Sequence, residues 1–313
     1  MLKILITGII FTSLNSYADA TVENTRYSAY FNTVSGICIL SVNGLDYLST
    51  LDTSRTISTG SDISDALENG SENKVGLIFY PSISKKNINQ HSCEIKIVKS
   101  IKDKEDEIIT NFRVIFDEKN KRPFTDPDGY SVQDITDKTN SPIIRGISNR
   151  IIFDDDKKPE DWLTAYQTFS VSGIPEWKWT KAEPQNNDLA LRDQLITAYK
   201  DIINDFKRSD LATIKKKYSL ALDEYAKNDS TDDTDLFFNS IGIVDAVQNG
   251  KVDANPKWDD FKLLTYQRNR IFCLGVGGAS RNSPIQFFNS EGDFIFAWNP
   301  FFAMIDGKMT LVR

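Results

Sequence analysis

His91 is the only histidine in this 313-residue chain, so any Ser–His or Cys–His mechanism would have to use it. It lies in the polar stretch Asn87 to Ser92, just ahead of a strand pattern, where a solvated loop histidine is the simpler reading. No serine occupies a Gly-x-Ser-x-Gly elbow, because Gly146-Ile147-Ser148-Asn149-Arg150 lacks the closing glycine. Gly275-Val276-Gly277-Gly278 has the glycines of a phosphate loop without a following Lys-Ser or Lys-Thr, and it reads as a bend after a strand. One histidine and three scattered cysteines do not make an ordinary zinc ligand set. These residues therefore point to no catalytic residue, no metal site and no cofactor.

Carboxylates are the abundant chemistry. Asp154-Asp155-Asp156 and Asp232-Asp233-Thr234-Asp235 supply hard oxygen ligands. Neither has the alternating spacing, central glycine and terminal glutamate of an EF-hand calcium loop. They read as solvated acidic loops, which makes Asp154, Asp155, Asp156, Asp232, Asp233 and Asp235 the candidate contacts for a basic protein partner. Trp177 and Trp179 are two apart, a spacing that on a strand puts both rings on one face. Core packing, a protein interface and a sugar-stacking platform are all open to such a pair, and both join the candidate partner-binding residues. The densest aromatic stretch is Phe294-Ile295-Phe296-Ala297-Trp298-Asn299-Pro300-Phe301-Phe302. Core packing is its simplest reading, and any ring left exposed there would make a protein-binding patch.

The N-terminus indicates a compartment. Met1 and Lys3 give a short basic start, and Ile4 to Leu14 is an apolar run too short to span a bilayer. Ala18-Asp19-Ala20 then supplies small residues where a signal peptidase reads, so cleavage after Ala20 and a periplasmic or secreted mature chain are expected. In that oxidising setting Cys38 and Cys93, both in strand patterns of the first half, are the candidate disulfide, with Cys273 far away. Their alternative is two small buried core residues. No later run is long enough for a membrane helix. The net charge of -7, with no basic face, argues against nucleic acid. A content of 40% hydrophobic and 26% charged residues is that of a globular protein, and the length suggests two domains.

Residues 21–120 read as a β-sandwich-like domain. Ile37 to Val42 is a β-rich run ending at the hairpin signal Asn43-Gly44, and Val75, Leu77 and Phe79 alternate, as do Cys93, Ile95 and Ile97. Residues 121–187 form an irregular, partly β connecting region that neither neighbour claims. From Asp188 the period changes: Leu191, Leu195, Tyr199, Ile202 and Phe206 describe a helix. Leu211, Ile214, Tyr218, Leu222 and Tyr225 describe a second, and Leu236 to Val247 a third, before strand candidates at 261–274, 285–288, 294–298 and 309–312. This order predicts an α+β fold.

The helix pair around Ala198-Tyr199-Lys200 and Phe206-Lys207-Arg208-Ser209-Asp210-Leu211, followed by late strands, resembles the cone-shaped NTF2-like fold over residues 188–313. That resemblance implies a curved sheet wrapped on helices around a concave pocket. The overall layout is also similar to bacterial periplasmic immunity and inhibitor proteins. The expected function is thus an exported, non-enzymatic protein that occludes a toxin or hydrolase. A carbohydrate-active hydrolase with paired carboxylates and a cell-envelope glycan-binding module are the alternatives.

Overall fold

The computed structural model describes residues 25–51, 56–81, 91–117, 122–125, 135–136, 142–144, 147–149, 163–229, 231–276 and 282–313. The expected signal peptide and the Asp154-Asp155-Asp156 loop lie outside them. Within the first half the strands are β1 (Thr25–Val34), β2 (Gly36–Val42), β3 (Leu45–Ser49), β4 (Ser58–Asp62), β5 (Gly70–Pro81), β6 (His91–Ile101), β7 (Glu107–Asp117) and β8 (Arg122–Thr125). β9 (Ile135–Thr136), β10 (Pro142–Ile144), β11 (Ile147–Asn149) and β12 (Leu163–Val171) follow. They form two antiparallel sheets, ordered β4-β1-β6-β7-β8 and β3-β2-β5-β12-β11-β10-β9.

Side-chain alternation explains why these sheets share one core. In β1, Tyr27, Ala29 and Phe31 are buried, while Arg26, Ser28 and Tyr30 lie on the other face. Phe31 sits opposite Ile95 and Ala29 opposite Ile97, so β1 and β6 present one apolar face. On the second sheet Cys38, Leu40 and Val42 pair with Phe79, Leu77 and Val75, all buried. The Cys38–Cys93 disulfide joins β2 of one sheet to β6 of the other, with Cα atoms 6.2 Å apart. The Asn43-Gly44 turn closes β2 on β3 with both residues at positive φ, 50° and 89°, as a two-residue hairpin of this type requires. β12, from the region no domain claimed in the sequence, pairs with β5 from Leu163↔Phe79 onward and so belongs to the second sheet.

Five helices follow: α1 (Leu189–Lys207), α2 (Leu211–Lys217), α3 (Ser219–Asn228), α4 (Thr234–Ser240) and α5 (Ile243–Asn249). Asp188 caps α1 by accepting from the Leu191 N–H at 2.9 Å, and Asp210 caps α2 through the Thr213 N–H at 3.0 Å. The backbone N–H of Thr213 holds the Asp210 carboxyl below its usual range. The expected second helix is two, α2 and α3, because Tyr218 leaves helical geometry at φ -92°, ψ 2°. The expected third helix is also two. Gly242 stands between α4 and α5 at φ 82°, and a Cβ there would come within 3.1 Å of Phe296.

The remaining strands are β13 (Lys251–Val252), β14 (Lys262–Tyr266), β15 (Ile271–Gly275), β16 (Ile285–Phe288), β17 (Phe294–Trp298), β18 (Phe302–Ile305) and β19 (Lys308–Leu311). Here the fold departs from the α+β, NTF2-like expectation. Among the described residues nineteen strands in four antiparallel sheets accompany five α-helices, so the molecule is mainly β. The late strands do not wrap one curved sheet around the helices. They split into β13-β16-β17 and β14-β15-β18-β19. One break falls inside the aromatic run, where Pro300, which has no N–H to give a ladder, separates β17 from β18.

Two cores result. One fills the sandwich and takes in Trp177, Trp179, Ile271, Ala303 and Val312. In the other, Leu191, Leu195, Tyr199, Ile202 and Phe206 of α1 pack on Phe272, Leu274, Ile285, Phe287 and Trp298. Phe206 stands edge-on to Phe287 at 5.0 Å and to Trp298 at 5.9 Å. The Tyr199 hydroxyl accepts from the Leu274 N–H and donates to the Pro300 carbonyl, both at 3.2 Å.

Candidate partner-binding surface

Trp177 and Trp179 are not on a strand. They flank the start of a 3-10 turn, Lys178–Lys181, and both are buried, at 1% and 0% exposure. Each indole N–H is satisfied inside the protein: Trp177 donates to the Ser64 carbonyl at 3.0 Å and Trp179 to the Asp65 carbonyl at 3.2 Å. Rings so placed cannot stack on a sugar or meet a partner. They join the sandwich loop at 62–68 to the second half.

Arg313 completes that junction. Its Nη1 contacts Glu224 Oε2 at 2.7 Å, its Nη2 donates to the Asp65 carbonyl at 2.8 Å, and its Nε lies 3.4 Å from Asp65 Oδ2. The guanidinium is stacked near Trp177 at 5.3 Å and Tyr225 at 5.6 Å. Glu224 also accepts from the Lys178 N–H at 2.6 Å. Tyr47 donates to Asp65 Oδ1 at 2.5 Å. Burial raises the Asp65 carboxyl above its usual range against the pull of Arg313, and burial beside Asp65 pushes the Tyr47 phenol well up. Burial opposes the Arg313 charge, but Asp65, Tyr225 and Glu224 outweigh it and hold the guanidinium protonated. Arg270 makes a second link, donating to the Thr180 carbonyl at 2.5 Å and to Glu68 Oε2 at 2.8 Å. The guanidinium's Nη1 and Nη2, both carboxylates and the Tyr47 hydroxyl are engaged in joining chain segments, which is structural chemistry, while Arg313 Nε meets Asp65 by charge without a hydrogen bond. Nothing in the sequence marks this cluster, because Asp65 and Arg313 are 248 residues apart.

His91 also differs from expectation. It opens β6, is 5% exposed, and its Nδ1 donates to the Ser35 carbonyl at 2.7 Å.

The second acidic loop is partly committed to local structure. Asp233 caps α4 by accepting from the Leu236 N–H at 3.0 Å, and Asp235 pairs with Lys215 at 2.5 Å. Asp232 is exposed. Next to this loop Leu236 is 58% exposed. α4 is about two turns, or about 10 Å, long, so only that distance separates the acidic loop from the Gly242 corner packed on Phe296.

The apolar surface that stands out is the β16–β17 hairpin. Phe294 is 55% exposed and Ile295 38% exposed, although they are consecutive residues of one strand. Phe287 pairs with Phe296 and Phe288 with Phe294, so Ile295 is an extra residue, a β-bulge that redirects its neighbours. The turn between the strands is closed by Asn289. Its Oδ1 accepts from the N–H groups of Glu291 at 2.9 Å and Asp293 at 2.8 Å, and its own N–H donates to the Asp293 carbonyl at 2.9 Å. Gly292 supplies the positive φ of 87° that the turn needs. Glu291 and Asp293 are exposed at the tip. The Ile295 side chain leans on Gly250, where an added Cβ would meet Ile295 Cδ1 at 2.5 Å and the Phe288 carbonyl oxygen at 2.7 Å. The aromatic run of the sequence was the legible signal for this surface; which of its rings would be left outside was not.

Among the described residues no helix is long and apolar enough to cross a membrane. Among them, also, no group of three or more histidine, cysteine or acidic side chains is placed to hold a metal ion. Compared with known proteins, the chain matches no family model and shows no significant similarity to a curated protein or to a solved structure.

Proposed function

We propose that this chain is an exported, non-enzymatic binding protein of the inhibitor or immunity kind, which covers a surface of a basic protein partner. The observation that carries the reading is the β16–β17 hairpin: large apolar side chains held outward by a closed turn, with carboxylates at its tip. Exposed apolar groups rimmed by polar ones are what protein contacts use, since burying them on association supplies the driving force and the charges select the partner. The Cys38–Cys93 bridge suits an oxidising compartment, in keeping with the signal-peptide pattern ending at Ala20. The net charge of -7 favours encounter with a basic surface.

The test is affinity capture from an envelope extract of the native host, then binding kinetics with the purified captured protein across a salt series. Association should slow as salt rises while dissociation changes less. Among the acids singled out in the sequence, Asp232→Lys is the clean probe, because Asp233 and Asp235 also support α4. Turnover of a glycan or peptide by the purified protein, abolished by replacing one carboxylate, would establish the hydrolase alternative instead.

A further inference from the structure

We infer that the tip of the β16–β17 hairpin is a preformed anchor that seats Phe294 in an apolar pocket of a protein partner whose rim carries lysine or arginine. The inference rests on the binding-protein reading above and adds the partner's chemistry.

Three observations carry it. First, the ring is positioned before any contact is made. Phe294 stands edge-on to Phe288 with centroids 6.1 Å apart, and the bulge at Ile295 and the Asn289-closed turn fix the backbone on both sides. An aromatic side chain held in place loses little freedom on binding, which is how anchors contribute more than their area suggests. Second, the hairpin itself carries charge of one sign, and the nearest cation on its sheet, Lys251 of β13, stands opposite Phe288 on the far side of β16 from β17. From Asn282 to Gly307 the sequence has no lysine, arginine or histidine, and it carries Glu291, Asp293 and Asp306. Glu291 and Asp293 make no ion pair among the described residues, so their charge is available to cations on the partner. Third, the geometry favours side-chain insertion over the alternatives. The bulge interrupts the outer ladder of β17, which opposes addition of a partner strand along it. A second copy of this chain meeting the tip across a two-fold axis would bring the same carboxylates together.

The experiment places the photo-crosslinking residue p-benzoylphenylalanine at Phe294, at Leu236, or at Leu189, which is 76% exposed on α1 and serves as the control. Each variant is expressed in the native host and irradiated, and the adducts are identified. The protein crosslinked at 294 is then purified and its binding kinetics measured with wild type, Phe294→Ala, Glu291→Lys and Leu189→Ala. The expected result is an adduct at 294 and none at 189. Phe294→Ala should weaken affinity at least about tenfold, mainly through faster dissociation. Glu291→Lys should slow association severalfold and flatten its salt dependence, and Leu189→Ala should change neither. Unaltered thermal midpoints establish that the variants fold, as expected for exposed side chains. An adduct at 236 without one at 294 would overturn the inference and leave the binding reading standing. No adduct at any position would remove both. A second copy of the chain in the 294 adduct, or undiminished affinity of Phe294→Ala, would also overturn it.

Discussion

Arg313 connects both halves of the chain through one guanidinium. It reaches the half-buried Asp65 of the sandwich and the buried Glu224 of α3. Arg313→Ala would leave two carboxylates in low dielectric without their counter-charge. The expected loss is about 3–5 kcal/mol of unfolding free energy, read from urea denaturation. Glu224→Gln should cost less, because Arg313 keeps Asp65. The double variant should lose clearly less than the sum of the two single losses, since the second change removes a group the first has already stranded. Losses that simply add would mean that the pair does not interact. By contrast Phe294 is a residue whose removal should leave stability almost untouched, and that contrast separates the junction from the proposed binding surface.

The elements are held by different devices on the two sides of that junction. In the sandwich, alternating strands give two apolar faces, and the Cys38–Cys93 bridge ties them across a sequence separation of 55. Cys38→Ser with Cys93→Ser should lower stability by about 4 kcal/mol in the chain-entropy account. The fold should persist, because Leu40, Leu77, Phe31 and Ile95 remain packed between the sheets. Denaturation of the double variant, with native far-UV circular dichroism in its absence, is the check; a variant with unchanged stability would mean that packing alone fixes the sheet pairing. In the second half there is no such bridge. There α2 to α5 are short, with breaks at Tyr218 and Gly242; the first break lays α3 against α4 and the turn at Ser64–Ala66, and the second turns α5 back onto β13 and β17.

For the whole molecule, the buried Tyr199 and Tyr218 and the half-buried Tyr47 and Tyr225 predict how it fails at high pH. Burial raises the phenols of Tyr47, Tyr199 and Tyr225 well above the ordinary value and pushes Tyr218 up to about 12. In the unfolded chain these groups ionise near pH 10. Between that value and their folded values the native state therefore holds protons that the unfolded state has lost, and stability falls as pH rises. At pH 11, Tyr218 alone contributes a loss of about 1 kcal/mol. Lys217 acts in the same direction. Burial works against its charge, but its hydrogen bonds to Asp201 and Asp205 prevail and raise it, so its contribution is lost as pH passes its folded value. Urea midpoints between pH 8 and 11.5 should decline above pH 10. The tyrosinate absorbance of these four phenols should appear together with unfolding, not before it; early, graded ionisation of all eleven tyrosines would contradict their enclosure.

Local periodicity and turn chemistry by themselves determined a large share of this protein. The alternation in β5 and β6, the Asn43-Gly44 hairpin and the apolar stripe of α1 all follow from residues a few places apart, whereas the choice between a Cys38–Cys93 bridge and two core thiols stayed open until the structure joined them. Only tertiary structure decided what depends on distant segments meeting. It drew β12 out of an irregular stretch because β5 offered an open edge, and it divided the late strands into two sheets, the chain passing from one to the other between β15 and β16 and back at Pro300, against the single cone that element order suggested. It buried Trp177, Trp179 and His91, because carbonyls of other segments were there to take their N–H groups. The aromatic run was divided in the same way. Trp298 and Phe302 found cover beneath α1, whereas the bulge at Ile295 carried Phe294 past the last covering element and into water. Burial is a property of what packs on a side chain, and the spacing of residues along one strand does not contain it.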